Sequence, residues 1–366
     1  MISEDRVQVL KILEKTEEML RLKINGGSGK AILYRRLQPD VIKGDWVVIN
    51  KTATDLKLGT GGWDIVRAVV DARPICNLRS EKLGHIMKAR YLGDQHSVLA
   101  LEAPESEEHE LFQNKCHLNG RWILLGELHS MLPVIWFLLQ LTNRCRLSAI
   151  ISDEASLPLV MSNHLHYLHQ QPRFYSITTG QAFGGNGETV NTTTALQYIS
   201  ERFTDGMIVM TLGPGAVGTG TRYGFSGLVQ ANWANQIGSL GGVPVWIPRL
   251  SAADPRERQR GISHHTLTPL TELTLVDSIL PLPAGNYSTP RLEEDIDYLT
   301  AYKQVNIRKV DEDRLLPYLN EVQKQSPFPL TSMGRTLDAD PLFFLGIAAA
   351  CSLFMEEAEH QSINDG

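Results

Sequence analysis

Short apolar runs alternating with polar positions fill residues 1–118, and their period of two predicts strands. Leu20, Leu22 and Ile24 alternate with charged residues, the segment 25–29 (NGGSG) supplies a turn, and 31–37 resumes the extended pattern, which predicts a hairpin. Gly44-Asp45 marks a turn before a strand over 46–49. The glycine-rich loop 58–64 (LGTGGWD) then leads to a strand over 65–70. At the extreme N-terminus a helix through Val7, Leu10, Leu13 and Leu20 competes with strands, and strands are favoured. Such short strands with little helix predict a small β-barrel or sandwich.

From Gly120 onward the rhythm becomes strand, loop, helix. Strands over 122–125, 147–151, 174–178, 207–212 and 243–247 alternate with helices near 131–141, 156–170, 192–203 and 226–237, which predicts parallel βαβ units. Beyond the loop 248–263, helices are predicted over 292–303, 311–324 and 341–357. Asp340 caps free N–H groups of the last one, and Pro341 occupies its first turn. The expected fold is α/β: a small N-terminal β-barrel or sandwich domain over 1–118, then an open, mostly parallel doubly wound sheet with C-terminal helices over 119–366.

The uncommon polar and glycine-rich segments all follow strands: 126–130 (GELHS), 152–156 (SDEAS), 179–189, 213–227 and 249–265. Carboxyl ends of parallel strands share one edge, where open α/β sheets form their ligand crevice. Within 213–227, Gly213, Gly215, Gly218 and Gly220 free the backbone for close approach to a ligand, and Thr219, Thr221 and Ser226 offer hydroxyls. A following helix N-terminus favours an anion, and Arg222 adds a bidentate donor. Gly213, Gly215 and Gly218 match G-x-G-x-x-G formally, but the strand is not the first of its sheet and the glycines run on, so a dinucleotide fingerprint is weak. Residues 26–30 (GGSGK) lack the spacing of a phosphate loop, and Ser226 lacks the spacing of a nucleophile elbow.

The loop 249–265 adds Asp254, Arg256 and the pair His264-His265, of which at most one faces the crevice if the segment is extended. Glu127, His129 and Asp153 stand at neighbouring strand ends, so that His264 or His265 with Glu127 or Asp153 are the groups expected to move protons. A divalent metal held by these carboxylates and imidazoles is the alternative to an acid–base pair, although no HExxH or equivalent spacing supports it, and metal and cofactor both stay open. His164, His166 and His169 lie within a predicted helix and read as surface or packing residues.

Composition narrows the partners. A net charge of -6 argues against general nucleic-acid binding. The apolar runs 131–139 and 341–355 are shorter than the ~20 residues of a membrane span and read as buried helices. Cys76, Cys116, Cys145 and Cys351 show no CxxC pair, and the first residues show no apolar leader, so free thiols in the cytoplasm are expected. The expected partner is a small-molecule ligand, with homo-oligomerisation left open.

Residues 47–66, 126–133 (GELHSMLP), 213–227 and 249–268 (RLSAADPRERQRGISHHTLT) together resemble a bacterial family catalogued as domain of unknown function 3866, over nearly the whole chain. The chain departs from the pattern expected of that family at Trp63-Asp64 and near Asp153-Glu154. The resemblance implies no activity. The function expected from the residues is binding of an anionic or phosphate-bearing small molecule at the strand ends, with transferase- or hydrolase-type chemistry. A non-catalytic ligand sensor or assembly module is the alternative.

Overall fold

The computed structural model describes residues 2–58, 61–70, 84–142 and 145–364. Cys76, and Gly59 and Thr60 of the LGTGGWD loop, lie outside them. Contacts divide the chain into two compact units, Met1–Val98 and Leu99–Gly366.

In the first unit β1 (Glu4–Lys15), β2 (Met19–Ile24), β3 (Lys30–Tyr34), β4 (Trp46–Asn50) and β5 (Asp64–Val69) close a barrel in the order β1-β2-β3-β5-β4, and a short helix, α1 (Thr52–Asp55), follows β4. The alternation of Leu20, Leu22 and Ile24 sends all three inward onto Val7, Val9, Leu33, Val47 and Ile49, which is why the period of two found the barrel. Strand β1 takes the place of the competing N-terminal helix and pairs antiparallel with both β2 and β4. Asp64 is buried, and its carboxylate accepts from the Ser28 amide and the Thr54 hydroxyl, so it ties the NGGSG turn to β5. Its role is structural. A small hairpin, β6 (Ile86–Lys88) and β7 (His96–Val98), completes this unit.

The second unit begins at Leu99, and its first residues are tied to the segment 190–197: Glu102 accepts from the Val190 amide and Thr194 Oγ1, and Gln197 donates to the carbonyls of Leu111 and Asn114. Its main sheet comprises β8 (Trp122–Gly126), β9 (Leu147–Ser152), β10 (Phe174–Thr178), β11 (Gly187–Glu188), β12 (Met207–Leu212) and β13 (Val243–Ile247). A two-stranded ribbon, β14 (Leu250–Ser251) and β15 (Gly261–Ile262), stands apart. The main sheet resumes with β16 (Ser278–Ala284) and β17 (Val305–Asp311), in the order β11-β10-β9-β12-β8-β13-β16-β17. Every pairing in the eight-stranded sheet is parallel.

Helices cover both faces: α2 (Met131–Thr142) and α3 (Asn163–His169) on one, α4 (Thr192–Arg202) and α5 (Gln230–Ser239) on the other. The chain continues through α6 (His264–Thr268), α7 (Pro290–Leu299), α8 (Glu312–Gln325) and α9 (Pro341–Asn364). The strands alternate accordingly. Leu124, Ala149, Ile151 and Val209 pack with α2, α8 and α9, whereas Ile123, Leu125, Ile150 and Met210 pack with α4, α5 and α7. Helix α9 is apolar and long enough to cross a membrane, yet 61% of its apolar window is buried, against α2, α8 and the sheet. Its composition is that of a core helix.

Three local expectations are corrected. The helix expected from 156 starts only at Asn163, because Leu157 and Leu159 exchange backbone hydrogen bonds with Phe183 across Pro158; Ser162 then caps the helix. Strands β16 and β17 were not expected at all. Pro281 and Pro283 share a parity, so both missing donors fall on one side of β16. That strand pairs along its whole length with β17, while with β13 it registers only through Val245 and Ile279. Finally, Asp340 does not cap α9 with its side chain: the carboxylate accepts from Ser251 Oγ, the Ala252 amide and Arg335 Nε.

Candidate functional site

The parallel sheet places the loops after β10, β9, β12, β8 and β13, five consecutive strands, at one edge, and β8 lies between β12 and β13. Glu127 follows β8 directly and is 2% exposed. Its carboxylate Oε2 accepts from Arg249 Nη1 at 2.9 Å, and Oε1 accepts from His265 Nδ1. Arg249 comes from the end of β13 and His265 from the first turn of α6; both are buried. Burial alone would raise the Glu127 carboxyl, but the Arg249 charge and the hydrogen bonds from His265 and Arg249 outweigh it and hold it below its usual range.

The network assigns the imidazole's tautomer. An ionised carboxylate only accepts, so Nδ1, in hydrogen-bond contact with Glu127 Oε1, carries the ring hydrogen and donates it there, and Arg249 Nη1, 3.4 Å from Nδ1, makes its own bond to the other carboxylate oxygen. Nε2 is then the basic nitrogen of the neutral ring, and among the described residues it has no hydrogen-bond partner. Its ring lies flat on Phe225, with centroids 4.1 Å apart, and edge-on to His264 at 4.2 Å. A methyl group on Gly218 would lie 3.6 Å from Nε2, so the glycine-rich loop passes over the basic nitrogen. Gly227 is required by close approach: a Cβ there would meet Glu127 Cγ and Oε1 at 3.0 Å. Gln230 Nε2 donates to the carbonyls of Gly227 and, at 3.3 Å, His265, tying loop, α5 and α6 together.

The loop itself is a hydrogen-bonded ribbon. Thr219 and Gly224, Val217 and Ser226, and the bridge Gly218–Phe225 pair its two arms, and residues 215–223 stand in solvent. Thr219 and Thr221 join their hydroxyls at 2.9 Å, and Ser226 Oγ donates to the Glu154 carbonyl. Gly213 and Gly215 flank Pro214, whose carbonyl accepts from Ser156 N. No helix follows Gly218 directly, because a 3-10 turn at Ser226–Val229 intervenes before α5. The ribbon therefore lacks the strand-to-helix geometry of a dinucleotide fingerprint.

Residues 30–351 match the family described as Protein of unknown function (DUF3866). The chain belongs to this family. The matched region contains the whole of the Glu127, Arg249 and His265 group and both loops that cover it. No curated protein matches the chain.

In this DUF3866 protein only some of the expected residues meet. Glu127 and His265 are in contact, with His264 beside them, its Nδ1 3.2 Å from the Arg258 carbonyl. Burial and the neighbouring His265 push His264 down to about 4. His264 and His265 open a short helix rather than an extended segment, which brings both rings to Phe225. Burial and His164 likewise push His129 down to about 4, but its ring faces His164, which packs on Phe328, on the α2 and α3 face. Asp153 is separate: its carboxylate accepts from the Gln181 amide at 2.7 Å. Asp254 and Arg256 form a bidentate pair that Arg335 extends to Asp340, and these bonds hold Asp254 well below the usual carboxylate range. Arg222 grips Glu272 through two bonds, reinforced by Tyr223. The cation beside the loop is Arg258, whose Nη1 reaches the Gly220 carbonyl at 3.5 Å and which has no carboxylate partner among the described residues.

Sequence reasoning does not single out Arg249, Phe225 or Gln230, and it gives Arg258 only as one of the basic residues of the loop 249–265. Arg249 carried a usable signal, since it lies two residues past the end of β13, as Glu127 lies directly past the end of β8. Among the described residues no three His, Cys, Asp or Glu side chains group so as to hold a metal ion.

Proposed function

We propose that the α/β unit binds an anionic small molecule against the 218–220 side of the glycine-rich loop, and that the Glu127–His265 pair moves a proton in hydrolase- or transferase-type chemistry. One observation carries this reading: a buried carboxylate, itself fixed by Arg249, orients an imidazole whose other nitrogen faces the loop. Such an arrangement makes His265 Nε2 a general base toward a hydroxyl or water, and Glu127 the group that stabilises the imidazolium that results. Arg258 supplies positive charge for the ligand; Arg222 and Arg256 are taken up by Glu272 and Asp254 and serve the scaffold. Among the described residues Cys116, Cys145 and Cys351 are free thiols.

A second reading, a non-catalytic ligand sensor or assembly module, is favoured by the hydroxyls of Thr219, Thr221 and Ser226 being satisfied within the loop region. Thermal-shift titration with phosphate, sugar phosphates, nucleotides and simple carboxylates separates the two. The enzyme reading expects an anion to raise the Tm, Arg258→Ala to remove that rise, and His265→Gln to keep the rise while abolishing turnover of esters of the same anion. Absence of stabilisation by every anion would leave the assembly module.

A further inference from the structure

Beside this group, over the carboxyl ends of β9 and β10, a cavity of about 260 Å³ opens on the α4 and α5 face. We propose that it binds an uncharged sugar ring through a vicinal pair of hydroxyls. The proposal does not rest on the Glu127–His265 reading; its observations are its own.

The first is Ser152. The period of two along β9 turns Ser152, like Ile150, toward α4 and α5, where it lines the cavity. It is 2% exposed, and among the described residues its Oγ has no hydrogen-bond partner. Leaving a buried hydroxyl unpaired is unfavourable, and such a group in a native fold calls for a partner that the chain does not supply. A ligand hydroxyl placed in the cavity is such a partner.

The second is the neighbouring carboxylate. Asp153 follows Ser152 on the cavity wall, fixed by the Gln181 amide through Oδ2. Gly180 has a φ of +62°, and a Cβ on it would collide with that carboxylate, so the backbone of the β10 loop is shaped around Asp153. The third is the start of α4. Asn191 Oδ1 caps the Thr194 amide, which leaves the Thr192 amide among the first-turn N–H groups with no partner inside the helix, and Thr192 lines the same cavity.

Charge selects the ligand. Asp153 and Glu154 lie on the wall and no Lys or Arg does, so a phosphate or carboxylate would meet repulsion that one helix terminus does not offset. A sugar satisfies both signs: its hydroxyls donate to Asp153 and accept from Ser152 Oγ and the Thr192 amide, while Trp233 offers an apolar wall to ring C–H groups. The volume lies below the ~300–1,000 Å³ of pockets for drug-sized ligands, which suits a monosaccharide and not a dinucleotide.

The test uses the full chain with D-ribose, D-glucose, their 2-deoxy analogues and inorganic phosphate at up to tens of millimolar, read by saturation-transfer NMR and thermal shift. At least one of the two sugars binds, and its 2-deoxy analogue binds about tenfold more weakly or worse. Ser152→Ala leaves the Tm of the free protein unchanged or raised, since it removes an unpaired buried hydroxyl, yet weakens sugar binding about tenfold; Asp153→Asn weakens it as much. The proposal is overturned if neither sugar binds, if phosphate competes for the cavity, or if Ser152→Ala lowers the Tm while leaving sugar affinity intact.

Discussion

Phe225 lies flat against His265, with ring centroids 4.1 Å apart and planes within 3° of parallel. The contact joins the glycine-rich loop to the imidazole that Glu127 orients, so it fixes the ring from its face while the carboxylate fixes it from its edge. Two substitutions separate these contributions. Phe225→Leu keeps a buried apolar side chain and loses only the stacking, a cost of about 1 kcal/mol. Phe225→Ala also opens a cavity and costs about 3 kcal/mol or more. Urea unfolding measures both; a Phe225→Leu cost near zero would mean that the stack contributes nothing.

The Glu127 carboxylate compensates a buried guanidinium and accepts from a buried imidazole at once. Glu127→Gln is isosteric but leaves Arg249 uncompensated, so it destabilises the fold by about 3 kcal/mol. Arg249→Met in the same chain removes the stranded charge, and the double variant regains a large part of the loss. A double-mutant cycle therefore returns a coupling well above 1 kcal/mol. Strict additivity would show that the pair does not act as a unit.

How far the site could be read from sequence follows from which features are local. Alternation found Leu20, Leu22 and Ile24 in the barrel and the five central strands of the sheet, because each strand carries its own apolar pattern. It missed β16, whose Pro281 and Pro283 look like strand breakers until β17 takes up the full pairing on the other side. Glu127 and His265 were both named because carboxylates and imidazoles are conspicuous in loops after strands. Their pairing was not readable: it depends on β12, β8 and β13 being neighbours, an order that local periodicity does not contain. Arg222 and Arg256 stood out by residue type alone. Only tertiary structure shows that Glu272 and Asp254 already occupy them.

Acid should destabilise the protein through its neutral histidines. His129 and His264 are each depressed from 6.5 to about 4, by burial first and then by a neighbouring imidazole. A depressed histidine binds fewer protons folded than unfolded between those values, so stability rises with pH across that window. The contribution is complete above about 6.5 and is lost as pH falls toward 4. Each group accounts for on the order of 1–2 kcal/mol after allowance for solvent screening. Unfolding free energies of wild type and His129→Phe at pH 7 and pH 5 check the sign. The variant should lose less than wild type on acidification, and an equal loss would remove His129 from the account.

Two glycines of the same loop should respond to alanine in opposite ways. At Gly227 the added methyl meets Glu127 at 3.0 Å, and Glu127 cannot withdraw without releasing Arg249 and His265. Gly227→Ala should therefore destabilise by about 1–3 kcal/mol, the usual cost of overpacking. At Gly218 the methyl finds ordinary contact distances, 3.5 Å to Phe225 Cβ and 3.6 Å to His265 Nε2, so Gly218→Ala should fold with nearly wild-type stability. That methyl nonetheless sits over the basic nitrogen and excludes a hydroxyl or water from it. A Gly218→Ala protein with unchanged Tm but no turnover would place the reacting atom on the loop side of His265. Full activity in that variant would instead require ligand approach from another direction.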